Sequence, residues 1–294
     1  MQRTAVAVLV AAVLLAPADA DAWGFDAHRF IVDRAVALLP DAIRPLFEAH
    51  RAEVVERSID PDTWRTAGFD EESPNHFLNI DWEGFGAYPF DALPRDHSAA
   101  VAKFGVERIT QTGTVPWRVE EMFGKLREAF NRYGRGNGSA RSDVLLFAAW
   151  LAHYVSDAHV PFHAVVNHDG QLTGQRGMHA RFESATFERY RDRLRIAPTP
   201  IAPVARPRDF TFAAVLEGTR LVPTILDADR RALGPGGAYD ERYYDAFFQA
   251  TRPVMERRLN ESIAAVAAMV AGAWNAAGQP PVPATSTRPA QRGR

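Results

Sequence analysis

The chain has 294 residues, 47% of them apolar and 24% charged, with a formal net charge of −2. Such a composition excludes a disordered or fibrous chain and supplies enough apolar residues for a sizeable core. The near-neutral balance excludes a global basic field, so any contact with nucleic acid would rest on local groups.

Read from the N-terminus, Arg3 precedes an apolar run over 4–16, then Pro17 and the small-residue sequence Ala20-Asp21-Ala22. Charge, apolar run and small-residue site follow the order of a secretory signal peptide, here over residues 1–22. A membrane anchor is the alternative, but the run is shorter than the ~20 residues that span a bilayer. Cleavage after Ala22 makes Trp23 the first residue of a secreted or periplasmic protein.

Helical periodicity dominates the rest. Residues 26–39 carry Phe30, Ile31, Ala35, Leu38 and Leu39 at helical spacing and stop at Pro40. A second helix is expected over 42–57. Residues 68–93, rich in Pro, Gly, Asp and aromatics, predict a long irregular loop. Helices follow over 97–110 and 116–133, the latter opened by Pro116 at a favoured first-turn position. Residues 134–138 are a breaker, and Ser142 is expected to cap an apolar helix over 143–158 that ends before Pro161. After a polar, Gly-rich stretch over 165–177, helical spacing resumes over 178–194. A proline-rich connector over 198–207 leads to helices over 210–232 and 241–276, with Pro253 a candidate kink. Residues 278–294 lack a core-forming pattern and predict a disordered tail. Strand signals are few. The expectation is one all-α, multi-helix domain over 23–277.

The densest chemical signal is His153-Tyr-Val-Ser-Asp157, then His163, then His179-Ala-Arg-Phe-Glu183. Residues four apart share a helix face, so each His–carboxylate pair can aim at one ion. Either pair alone is more often a surface ion pair. With no cysteine in the chain, zinc would be held by imidazole, carboxylate or backbone groups. His159 and His168 do not repeat the pairing and are expected to support the site or sit in loops.

A second set lies upstream. A free amine and carbonyl at Trp23 can chelate a metal, with His28 as a further donor. Asp62, Arg65 and His76 place an acid, a guanidinium and an imidazole about the irregular loop. Taken alone, that segment reads as a turn and a solvated histidine.

The ordered set Trp23, His28, Asp62, His76, His153, Asp157, His163, His179 and Glu183 resembles the zinc-dependent phospholipase C and single-strand-specific nuclease superfamily. The resemblance covers most of the chain from Trp23 to Glu183. It implies a helical fold with three zinc ions in a cleft. Asp62, His76, His153 and Asp157 would hold one ion, and His163, His179 and Glu183 a second. Trp23, His28 and the other oxygen of Asp157 would hold the third. The implied activity is phosphodiester hydrolysis by a metal-activated hydroxide, with Asp62 orienting the water and Arg65 gripping the phosphate.

Features divide between two substrates. The Trp-Gly start with His five residues on, and Arg65 three residues after Asp62, resemble the nuclease branch. The short gap from His163 to His179 and Glu183 in place of Asp resemble the bacterial phospholipase branch. Asn79 stands where the nucleases carry an acid. Phe77 can stack a base, line a lipid pocket or simply fill core. The balance favours single-stranded nucleic acid, with phospholipid as the alternative. A non-catalytic zinc-binding protein on the same scaffold is the reading of another class.

Overall fold

The computed structural model describes residues 24–284, and among them every regular element is helical. The framework is set by four long helices. α7 (Val115–Gly134) buries Trp117, Val119, Met122, Phe123, Leu126, Ala129, Phe130 and Tyr133 at three- and four-residue intervals, the signature of one apolar face. That face lies along α8 (Ala140–Asp157). α11 (Pro207–Leu233) and α12 (Glu241–Ala276) complete the bundle. From Ser262 to Trp274 every residue of α12 is buried, so this stretch is the central rod of the core. Its alanines and Gly272 let neighbours approach closely. A Cβ at Gly272 would stand 2.0 Å from the Val204 carbonyl of the connector, and Val204 N–H donates to Ala268 O at 3.0 Å.

Shorter elements wrap this frame. α1 (Phe25–Val36) packs on α12, and α2 (Arg44–Ala49), α3 (Arg51–Arg57) and α4 (Asp60–Thr66) follow. The single helix expected over 42–57 is thus two, interrupted at His50. The stretch over 68–93 contains 3-10 turns at Asp70–His76 and Glu83–Phe85. The helix expected over 97–110 is also two, α5 (His97–Phe104) and α6 (Val106–Thr112). Gly105, at φ 84°, turns the chain between them, in a left-handed conformation that side chains resist.

α8 begins at Ala140, so Ser142 lies inside it and is not its cap. The turn before it is closed by the Asn137 side chain, which accepts from Ser139 N–H at 3.2 Å. The helix expected over 178–194 divides into α9 (Met178–Ala180), a π turn over Arg181–Thr186, α10 (Phe187–Tyr190) and a 3-10 turn. The wide turn is anchored by Thr186 Oγ1 donating to Arg181 O at 2.6 Å.

The first part of the stretch expected from Gly278 to be a disordered tail is packed on the fold. Val282 is buried, and Tyr133 Oη donates to Pro283 O at 2.6 Å, so this part of the chain is docked on α7. Beyond residue 284, and before residue 24, the tail, the signal segment and Trp23 lie outside the described residues. No helix among the described residues is long and apolar enough to cross a membrane.

One side chain ties the frame to the site. Arg258 of α12 is 1% exposed. It donates through Nε to His159 O at 2.7 Å and through Nη2 to Ala214 O at 3.0 Å and Ala158 O at 3.5 Å. A buried guanidinium thus engages the carbonyls just past the C-terminus of α8, where a cation is favoured.

Candidate metal centre

The site is built on the last turn of α8. His153 and Asp157, four residues apart, point from one face into the interior, and neither is exposed to solvent. α4 brings up Asp62, α1 brings up His28, and the 3-10 turn over Asp70–His76 ends on His76. His163 follows α8 by way of Pro161, which opens a short 3-10 turn. An extended pairing fastens the last two segments together. Leu78 N–H donates to His163 O at 2.9 Å and Ile80 N–H to Ala164 O at 3.2 Å. His163 Nδ1 returns a bond to His76 O at 2.8 Å.

Eight of the nine residues singled out by the resemblance are described, and all eight are buried. They form three groups whose ligand atoms lie within 4.8 Å of one another: His28, His153 and Asp157; Asp62, His76 and His153; His163, His179 and Glu183. Asp157 is the hub. Its Oδ2 lies 3.0 Å from His76 Nδ1 and 3.2 Å from His153 Nε2. Its Oδ1 lies 3.4 Å from His28 Nε2 and 3.7 Å from His163 Nδ1. Asp62 stands 3.5 Å from His76 and 3.8 Å from His28. In the third group, the Nε2 atoms of His163 and His179 are 3.0 Å apart, and His179 Nε2 touches Glu183 Oε1. The π turn carries Glu183 to that contact in place of the expected α-helical turn.

Hydrogen-bond logic fixes two of the ring orientations. His153 Nδ1 lies 2.8 Å from Ser58 O and His163 Nδ1 2.8 Å from His76 O. A carbonyl only accepts, so both Nδ1 atoms carry a proton and both Nε2 atoms face the cluster. This is the arrangement that orients metal-binding imidazoles. His28 stacks on His153 with ring centroids 4.0 Å apart. Neither of its nitrogens, nor Asp157 Oδ1, has a hydrogen bond among the described residues. The 3.4 Å approach of His28 to Asp157 is misaligned for one. Buried polar atoms left this way are costly unless something else engages them.

Electrostatics point the same way. Burial pushes His28 down to about 4, helped by the charge of His153, and burial likewise holds His76 at about 4 and His163 at about 3. These imidazoles are therefore neutral near pH 7, with lone pairs to give. Burial opposes the charge on His153 too, but Asp157 and Asp62 outweigh it and raise the imidazole to about 8. Burial opposes ionisation of Asp157, yet the positive charge of His153 foremost holds its carboxyl well below the usual range. With Asp62 and Glu183, this makes three carboxylates at 0% exposure. Concentrated imidazole and carboxylate donors in so dry a setting fit divalent metal ions, whose charge offsets the cost of burying the acids.

Arg65 lies at the edge of the cluster, its Nη2 3.5 Å from Asp62 Oδ1 and its side chain 20% exposed. Phe77 is half-buried, and its carbonyl oxygen would lie 2.2 Å from a Cβ at Gly113. That glycine has φ 97°, so both its conformation and its contact require the missing side chain. His168 is exposed. His159 donates from Nδ1 to Val155 O at 2.7 Å and lines a separate cavity of about 470 Å³ between α11 and α12.

Sequence reasoning missed Glu72, which faces His76 from within the stretch expected to be an irregular loop. The pair has the same four-residue spacing that marked the two pairs downstream, and that signal was present. The chain matches no protein-family model and no curated protein, so the reading of this cluster rests on its own residues.

Proposed function

We propose that the cluster is a trinuclear zinc centre and that the protein is an exported phosphodiesterase of the zinc-dependent phospholipase C and single-strand nuclease type. The observation that carries this reading is the convergence of eight ligand-type side chains from six separate segments onto three adjoining, buried groups. A surface charge pair does not bring its imidazoles to the bottom of a core.

In this reading His28, Asp62, His76, His153, Asp157, His163, His179 and Glu183 hold the ions, with Trp23 completing the set. Zinc, when bound, supplies Lewis acidity toward a phosphoryl oxygen and lowers the pKa of water to about 7. Asp62 is the carboxylate placed to orient that water and accept its proton. Arg65 offers a planar guanidinium at the rim, suited to two phosphoryl oxygens at once.

Single-stranded nucleic acid is the favoured substrate, on the strength of Arg65 beside Asp62. One observation favours phospholipid. Phe69, 61% exposed, and Leu172, 68% exposed, precede His76 and His179 in sequence, and exposed apolar side chains are what a lipid substrate would engage.

Zinc content measured together with turnover on single-stranded DNA, RNA and phosphatidylcholine tests the proposal. Close to three zinc ions and cleavage of nucleic acid are expected. Arg65→Ala should lower turnover by roughly 30- to 1000-fold, as for a donor that acts on transition-state charge, with zinc content unchanged. Lipid cleavage without nucleic-acid cleavage would reverse the substrate order. Zinc bound with no turnover on any of the three substrates would leave a non-catalytic metal protein.

A further inference from the structure

His76 presents the opposite nitrogen from His153. His153 turns Nε2 inward and keeps Nδ1 on a backbone carbonyl. His76 turns Nδ1 inward, 3.0 Å from Asp157 and 3.5 Å from Asp62. Its outer nitrogen, Nε2, is buried with no hydrogen bond among the described residues and lies 3.8 Å from Glu72 Oε1.

We propose that Glu72 is a positioning residue for the metal centre, its carboxylate holding the His76 proton on Nε2 so that the Nδ1 lone pair is given to an ion. The inference rests on the reading of the cluster as a metal centre.

The neighbourhood is built to keep a carboxylate at that place. Tyr154 Oη donates to Glu72 Oε1. Asn75 Nδ2 and Arg118 Nη2 donate to Oε2 at 3.2 and 3.3 Å. Arg118 also reaches Tyr154 Oη at 3.1 Å and lies over its ring at 5.0 Å. Thr114 in turn donates to Asn75 Oδ1 at 2.9 Å. Glu72 is 9% exposed and Tyr154 not at all, so the guanidinium offsets a largely dry anion.

At 3.8 Å the carboxylate acts on His76 through its charge, since a hydrogen bond needs a closer approach. That suffices to choose a tautomer. An Nε2–H facing an anion is favoured, and an Nε2 lone pair facing it is not. Without metal, Nδ1–H can donate to Asp157. Binding an ion through Nδ1 requires the proton to stand on Nε2 instead, and Glu72 stabilises that form. Carboxylates behind metal-bound imidazoles act in this way, and their loss weakens binding by about 10- to 100-fold.

The experiment is zinc titration of the full chain against a chromophoric chelator, with calorimetry of the chelated protein alongside. In Glu72→Gln, one zinc should bind about 10- to 100-fold more weakly, while the others keep near wild-type affinity. Glu72→Asp should restore part of that loss. Tyr154→Phe, which removes a donor but leaves the carboxylate, should lower stability and leave zinc affinity within a few-fold. In the zinc-loaded wild type, nitrogen NMR should find the His76 proton on Nε2. Wild-type zinc binding with an unchanged Glu72→Gln titration would overturn the inference and leave the metal centre standing. So would affinity losses spread over all ions in step with the fall in stability. A wild type that binds no zinc would overturn both.

Discussion

Asp157→Asn is the sharpest probe of the cluster, because one carboxylate faces two groups through two different oxygens. The substitution keeps the shape, removes the charge and replaces one oxygen by an N–H donor. Two consequences can be worked out. In metal-free protein, Asp157 stands 3.2 Å from His153 Nε2, and a unit charge at that range is worth about 5 kcal/mol at an effective dielectric of about 20. Even half of that moves the imidazole by about two pH units. Burial then prevails, and His153 should titrate below 6.5 where the wild type titrates at about 8. In metal-loaded protein, the loss should exceed one zinc per chain, whereas His179→Ala, which touches only the third group, should remove one. Ring-nitrogen NMR of the chelated protein follows the first effect and elemental analysis the second. If Asp157→Asn keeps its full zinc complement, or leaves His153 titrating near 8, the shared-carboxylate argument is wrong.

Two further expectations concern stability. His28, His76 and His163 are depressed from 6.5 to about 4, 4 and 3, so their contribution is whole above 6.5 and is lost as the pH falls toward 4, where the unfolded chain takes up protons that the fold refuses. His153, raised to about 8, contributes fully below 6.5 and loses its part as the pH climbs through 8. The urea midpoint of chelated protein should therefore be highest between these limits, and a midpoint that rises steadily down to pH 4 would contradict the assignment. Arg258→Leu strips a buried donor from the Ala158, His159 and Ala214 carbonyls and should cost about 3–5 kcal/mol. At about 2–4 °C per kcal/mol for a chain of this size, that is a fall of roughly 10 °C, and calorimetry showing less than about 2 °C would deny the guanidinium its structural role.

The long helices were legible because periodicity is a property of many residues at once. α7 and α12 run almost where the apolar spacing put them, and the ends of α8 differ by one residue and three. The breaks were harder. Gly105 interrupts an expected helix through its left-handed backbone, a glycine that spacing alone passes over. His50 interrupts another with nothing in its residue type to announce it. Within the site, the ligand-type residues were legible from order and i, i+4 spacing, since helices turn such spacing into proximity. Glu72 was not, because the stretch around it carries Pro, Gly and aromatics that mask a short 3-10 turn. Arg258 was invisible for a different reason. It acts about a hundred residues from its partners, and no local pattern records such a contact.

That separation has a consequence for the order of events in biosynthesis. A chain made from its N-terminus has issued every described ligand-type residue once Glu183 has emerged. The side chain that fixes the end of α8 appears only with residue 258, and the rod from Ser262 to Trp274 follows it. Until then, His153 and Asp157 sit on a helix that packs on α7 but lacks both α12 and the guanidinium beyond its end. Domains fold as units once their sequence is available, so the centre is withheld from assembly until nearly the whole chain is out. On the proposed reading of the cluster, metal capture then falls after synthesis.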